Sequence, residues 1–460
     1  MLMKFHTIGW ILILLVISSC QSKKEETTKI EQPNFIVFIA DDAAWDDNGP
    51  YGNSDIKTPN INKLAEEALV FDNAFLTTSS CSPSRCSILT GRYPHSTGAP
   101  ELHMPLPADQ VLFAGKLQEA GYFTAVAGKY HIGPPREEFD SIYGGRPSGC
   151  EKWVQALQNR PKDKPFFLWL AALDPHRVYQ PNTIPEPHDP ENVIVPPYLP
   201  DNDSTRKDLA LYYDEISRMD SYIGEVMEEL KQQGEDENTL VIYMTDNGRP
   251  FPRCKTRLYD SGIKTPFIVR WPKRIKKGRT DALVSVIDIA PTFCELAGAE
   301  ISETFQGTSF APILVDPETQ TREYIAGEHN WHDYQSHERA VRNKNFLYIR
   351  NEFPEFNASP PADAVRSITY QKMIELYEAG ELNEDQKDCF VAPRHAEELY
   401  DVVNDPFQLN NLAGNEDYTE ELKEMSDLLD QWIIEYEDSV PDNPTPDKFD
   451  RWTGEGLANY

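Results

Sequence analysis

Five short segments are apolar at nearly every successive position rather than at alternate ones: residues 34–40 (Asn-Phe-Ile-Val-Phe-Ile-Ala), 122–127, 166–173, 240–244 and 266–271. A strand that is apolar on both faces must be covered on both faces, so such runs belong to a sheet buried between helix layers. Between them lie helical patterns at 60–69, 112–119 and 287–297. The clearest is 205–231, where Leu209, Tyr212, Tyr213, Ile216, Met219, Ile223, Val226, Met227 and Leu230 recur at three- and four-residue steps. That stripe reads as core packing. Strands alternating with helices predict an α/β chain, an α/β/α sandwich around a large, mostly parallel mixed sheet. Its site belongs at the carboxyl ends of the strands. Past about residue 326 the character shifts to His, Trp and Tyr, then to a strand-like stretch at 346–350 and a helix at 419–436. This predicts a smaller C-terminal α+β subdomain, 326–460, beside a main domain, 33–325. The Pro-rich stretches 180–200 and 440–446 read as surface loops.

The start of the chain has its own logic. Lys4 precedes an apolar run at 8–17 that is too short to span a bilayer and ends in Ile17-Ser18-Ser19-Cys20. Residues 1–20 read as an export signal and resemble that of a bacterial lipoprotein, in which Cys20 becomes the lipidated N-terminus. A polar tether, 21–32, follows. The expectation is an exported bacterial lipoprotein, in the periplasm or on the cell surface, that meets the membrane only through its anchor. The formal net charge of -31 argues against nucleic acid as a partner and requires an anionic substrate to find a local basic pocket. Six cysteines follow Cys20, namely Cys81, Cys86, Cys150, Cys254, Cys294 and Cys389, and none forms a C-x-x-C pair. A disulfide-dense scaffold is excluded, while one or two bridges stay open.

The chemistry concentrates in 77–92, Thr-Thr-Ser-Ser-Cys-Ser-Pro-Ser-Arg-Cys-Ser-Ile-Leu-Thr-Gly-Arg. Pro83 suits the first turn of a helix, which puts Cys81 at an N-terminus where unpaired N–H groups and the dipole favour an anion. A second reading is available, because Cys86 and Arg92 satisfy the C-x5-R spacing of thiolate phosphatases. The intervening Ser-Ile-Leu-Thr-Gly lacks the glycines of a phosphate cradle.

Cys81-Ser82-Pro83-Ser84-Arg85 matches the C-x-P-S-R signature of the type I, formylglycine-dependent sulfatases, and Leu89 through His95 resembles that family's continuation. The resemblance extends over nearly the whole chain. It implies that a maturation enzyme oxidises Cys81 to formylglycine, an aldehyde whose hydrate carries two hydroxyls. One attacks sulfur, and the other later expels sulfate. Asp41-Asp42 and Asp246-Asn247, each at a strand end, resemble the family's metal-binding pairs, with an oxygen of modified residue 81 completing the shell. An all-oxygen, carboxylate-rich set suits calcium better than magnesium. Capping or a turn is the structural alternative for the acids. Lys129 and His131 resemble the family's G-K-x-H element, His176 follows another strand, and Lys255 resembles its sulfate-binding lysine. Asp260-Ser261 replaces the Glu-Gly expected after Tyr259, so Arg257 or Lys264 could share the role of Lys255. The resemblance assigns Arg85 to hold the diol and metal ligands, and Lys129 and Lys255 to bind sulfate oxygens. It gives His131 the nucleophile and His176 the leaving alcohol.

Substrate choice is less constrained. Asp246 through Pro252 resembles the heparan N-sulfatase branch. Glu328, His329, Trp331, His332, Tyr334 and Arg339 form a polar-aromatic cluster able either to contact a sugar, His332 first, or to pack one part of the chain on another. The leading expectation is a carbohydrate O-sulfatase acting on a sulfated polysaccharide or its oligosaccharides, such as algal ulvan. The alternatives are an N-sulfoglucosamine sulfohydrolase, a phosphate or phosphonate ester hydrolase of the same superfamily, and a glycan-binding protein with a degenerate site.

Overall fold

The computed structural model describes residues 32–457. The expected signal with Cys20, and residues 21–31 of the expected tether, lie outside the described residues. The main sheet contains β1 (Asn34–Ala40), β2 (Leu69–Phe75), β3 (Phe123–Gly128), β4 (Ser141–Tyr143), β5 (Phe166–Ala171), β6 (Thr239–Thr245), β7 (Phe267–Arg270) and β8 (Gly278–Ser285). They lie in the order β4-β3-β5-β1-β6-β7-β2-β8. All neighbours run parallel except β7, which is antiparallel to both β6 and β2. A second, antiparallel sheet contains β9 (Ile325–His329), β10 (Glu338–Arg342), β11 (Phe346–Asn351) and β12 (Glu397–Asp401).

The helices are α1 (Pro59–Glu66), α2 (Cys81–Thr90), α3 (Phe113–Glu119), α4 (Trp153–Asn159), α5 (Asp203–Gln232), α6 (Asp260–Ile263), α7 (Ile289–Ala297), α8 (Ala311–Val315), α9 (Ala362–Val365), α10 (Ile368–Glu378) and α11 (Thr419–Glu435). Alternate side chains of β1 explain the layers. Phe35, Val37 and Ile39 enter one core with Ile88 and Leu89 of α2, Phe113 of α3 and Phe293 of α7. Ile36, Phe38 and Ala40 enter another with Leu64 of α1, Trp153 of α4, the stripe of α5 and Met373 of α10. The strand is therefore apolar at every position from Phe35 on because helices cover both of its faces. The second sheet buries one face against the first of these cores and packs Val341, Tyr348 and Leu399 against Met425, Leu429 and Trp432 of α11.

The differences from the sequence expectation have local causes. The helix expected over 60–69 stops at Glu66, and Leu69 opens β2. β2 carries Asp72 and Asn73 at mid-strand, while β4 and β8 are the sheet's edges: β4 is three residues long with Ile142 exposed, and β8 exposes Arg279 and Asp281. None of the three has the two-faced apolar signal of a central strand. Among the described residues, Cys81, Cys86, Cys150, Cys254, Cys294 and Cys389 are all buried free thiols, so the bridges left open by the sequence are absent there.

Candidate active site

β3, β5, β1 and β6 are consecutive neighbours running one way, so the residues after them emerge on one edge. Asp41 and Asp42 follow β1, Lys129 follows β3, His176 lies in the turn beyond β5, and Asp246 and Asn247 follow β6. β2 shares that direction through the intervening antiparallel β7, so the loop after it brings the start of α2 to the same edge. Cys81 opens α2, with Ser80 as its extended N-cap.

Three acids and three cations interlock there. Lys129 Nζ is 2.6 Å from Asp41 Oδ2, Lys255 Nζ is 2.7 Å from Asp42 Oδ2, and Arg85 NH2 is 2.7 Å from Asp246 Oδ2. Arg85 also donates to the Lys129 carbonyl at 2.8 Å, tying α2 to the end of β3. Cys81 Sγ lies 3.9 Å from Asp42 Oδ1. Single atoms of Asp41, Cys81 and Asp246 lie within 4.8 Å of one another, as do those of Asp42, Cys81 and His176. Asp42 takes a left-handed φ of 73°, unfavourable for a residue with a Cβ, and its N–H donates to Asp246 Oδ1 at 3.2 Å. Gly128 is needed where the chain turns towards Lys129: at its φ of 98° a Cβ would sit 1.9 Å from the Ala171 carbonyl. Gly128→Ala is expected to destabilise the fold by at least about 2–3 kcal/mol, read as a lowered denaturation midpoint in urea. An unchanged midpoint would contradict the close approach.

Burial sets the charges. It pushes the Cys81 thiol up to about 12 against the pull of Lys129 and Lys255, so unmodified Cys81 is a neutral thiol. Burial likewise raises Asp246, opposed by Arg85. It would lower Lys255, but Asp363 and Asp42 outweigh it and hold the ammonium well above its usual range.

The donor set fits a hard cation. Asp41 Oδ1 and Asn247 Oδ1 are buried oxygens without a hydrogen-bond partner, next to the carboxylates of Asp42 and Asp246. Oxygen-only ligation with several carboxylates favours calcium over softer metals.

The structure also sorts the remaining sequence candidates. His176 donates from Nδ1 to the Arg177 carbonyl at 2.6 Å and turns Nε2 towards Asp42 and Asp363, at 3.9 and 3.7 Å. His131 pairs with His103, Nε2 to Nδ1 at 2.8 Å. Burial, then Lys129 and Arg85, holds His131 far below its ordinary value. His332 is buried with Nδ1 2.7 Å from Ser80 Oγ, beside the N-cap of α2. Arg257 turns elsewhere, to Glu338 at 3.6 Å and Asp388 at 3.7 Å, and Lys264 Nζ lies over the Trp45 ring. Lys255 is thus the lysine of its loop that meets Asp42. Glu328 and Arg339 are buried in packing: Glu328 binds His95 at 2.7 Å, and Arg339 pairs with Asp438. Cys86 lies inside α2, its thiol pushed up to about 12 by burial, and Arg92 bonds to Gln110. The phosphatase spacing therefore builds no thiolate cradle. Asp363 and His103 were not foreseen, since neither stands in a motif or at the end of a main-sheet strand.

The family model described as sulfatase matches residues 33–148 and 150–299, and the model described as N-sulphoglucosamine sulphohydrolase, C-terminal, matches residues 254–435. An ulvan-active sulfatase of Formosa agariphila is 31% identical over 494 residues, covering 94% of this chain and 80% of the relative. The human N-sulphoglucosamine sulphohydrolase is 30% identical over 476 residues, covering 93% of each chain. A solved structure bound to its substrate D-glucosamine-2-N,6-O-disulfate superposes with a TM-score of 0.69 at 22% identity, over 90% of this chain and 100% of the other.

Proposed function

The chain belongs to the sulfatase family and is a sulfuric ester hydrolase, and from that premise we propose that it removes sulfate from a sulfated polysaccharide or its oligosaccharides through formylglycine made from Cys81. The observation that carries this reading is the convergence of Asp41, Asp42, Asp246, Lys129 and Lys255 around residue 81 at the start of one helix. Asp41, Asp42, Asp246, Asn247 and the oxygen of modified residue 81 would hold a calcium ion. When bound, calcium supplies positive charge that stabilises the sulfuryl oxygens.

The chain's own residues supply the rest. Asp41 and Asp42 now occupy the ammonium groups of Lys129 and Lys255; with those carboxylates committed to a cation, the two lysines are free to bind sulfate oxygens. Arg85 is fully buried and fixes Asp246 and the end of β3, so it orients residue 81 without meeting solvent. Because its Nδ1 hydrogen is committed to a carbonyl, His176 presents Nε2 to carry a proton to the leaving alcohol. His131, whose Nε2 pairs with His103 and which feels the charges of Lys129 and Arg85, orients the nucleophile in this reading.

Calcium at a hundredfold excess over its Kd should stabilise the wild type by about 2.7 kcal/mol. Thermal denaturation reads this as a rise in Tm that Asp41→Asn combined with Asn247→Ala abolishes. An equal rise in that variant would remove these ligands from the account.

Ulvan-type O-sulfate is the leading substrate, by similarity to the ulvan-active sulfatase of Formosa agariphila. The match over residues 254–435 favours N-sulfoglucosamine as the second reading. Sulfate release from rhamnose 3-sulfate, N-sulfoglucosamine and a matched phosphate monoester decides between them. Faster phosphate than sulfate release would overturn the sulfatase reading. The same proposal includes a formylglycine-generating partner, export, and a lipid anchor at Cys20.

A further inference from the structure

Asp363 puts a carboxylate where an anion-binding pocket has least need of one. Its Oδ2 lies 3.6 Å from Lys255 Nζ and 3.7 Å from His176 Nε2, two groups assigned above to the sulfate ester. Lys255 also has Asp42 at 2.7 Å, so its ammonium lies between two carboxylates, of which Asp42 is the one that would be committed to the cation. The position is firmly built. Asp363 Oδ1 accepts from the Ala364 N–H at 2.8 Å, and the Ala362 N–H donates to Asp333 Oδ2 at 3.1 Å. Oδ2 is left facing Lys255 and His176, and 26% of the side chain remains exposed, so a ligand held by those two groups can reach it.

A carboxylate so placed repels every sulfate ester alike and weakens them by a common factor. That penalty is offset only when the substrate brings a hydrogen-bond donor, because a hydrogen bond to an ionised acceptor is strong and directional. An oxygen this close to two groups that grip the sulfate is reached from atoms near the sulfated one. Resting on the sulfatase reading, we propose that Asp363 is a specificity-determining residue that selects sugars carrying a hydroxyl or amine on the carbon next to the sulfate-bearing one. It discriminates against sugars in which that neighbour is itself sulfated. A reaction that removes the neighbouring sulfate must then come before this one.

The test uses matched substrates: N-sulfoglucosamine with its 3-deoxy analogue, and methyl rhamnoside 3-sulfate with its 2-deoxy analogue. Wild type, Asp363→Ala and Asp363→Asn are compared on each pair. For the parent that the wild type hydrolyses, loss of the hydroxyl should lower kcat/KM about ten-fold or more. In Asp363→Ala the same loss should have an effect below about three-fold, because the discriminating acceptor is gone. Asp363→Asn keeps an acceptor oxygen and should keep part of the discrimination. If Asp363 merely props up Lys255 and His176, each variant slows parent and deoxy analogue equally, and the unchanged ratio overturns the proposal while sulfatase activity stands. If the wild type hydrolyses neither parent, the substrate reading fails and this inference falls with it.

Discussion

Cys81→Ala is expected to lower sulfate release by more than about 10⁴-fold while shifting Tm by only a few degrees. The thiol is small and buried, and its polar contact is a long one to Asp42, so its deletion leaves a void worth about 1–2 kcal/mol. The catalytic loss is far larger because the site's cations and acids are arranged around an atom that no longer exists. The thiol cannot serve in place of the modified residue, since burial keeps it neutral at ordinary pH. Wild-type chain made without a maturation enzyme should therefore resemble Cys81→Ala in kinetics. Initial rates on the preferred sulfated saccharide, with Tm measured alongside, check both statements. Near-wild-type rates in the alanine variant would remove Cys81 from the mechanism.

Asp246→Ala should fail in two ways. Arg85 is fully buried with its Nε and NH2 at 2.8 and 2.7 Å from Asp246 Oδ2, and the next carboxylate, Asp41, is 3.8 Å away. Deleting the acid strands a guanidinium out of water, at a cost of about 3–5 kcal/mol. Turnover and the calcium-dependent rise in Tm should vanish as well. Asp246→Asn separates the two effects: its amide oxygen still accepts from Arg85, so it should recover much of the stability, yet it should remain at least about 10³-fold slower for want of the charge. An Asp246→Ala protein with wild-type Tm would show that the Arg85 ion pair does not hold the site.

The central strands and the stripe of α5 were legible because helices cover both faces of β1, β5 and β6, which makes their sequences continuously apolar. β4 and β8 were not, since an edge strand mixes polar with apolar residues much as a loop does. The clustering of the candidate site was legible wherever a residue follows a central strand directly, as Asp41, Lys129 and Asp246 do. Asp363 escaped because α9, from the C-terminal part of the chain, brings it beside Lys255 and His176, a meeting of residues far apart in sequence. The sequence leaves the cluster around Glu328 open between sugar contact and packing; Glu328, on β9, meets His95, which follows α2. His332 alone of that cluster reaches the N-cap of α2. The departure at Asp260-Ser261 leaves Arg257 open as a partner in the role of Lys255, but its guanidinium lies among Glu338, Asp388 and Tyr259.

The most direct test is the mass of the peptide containing residue 81, measured on chain co-expressed with a formylglycine-generating enzyme and shown to release sulfate. The account predicts that the –CH2SH side chain has become –CHO in the active fraction, with activity rising in proportion to the converted share. Fully active protein in which residue 81 is still an unmodified cysteine would contradict it.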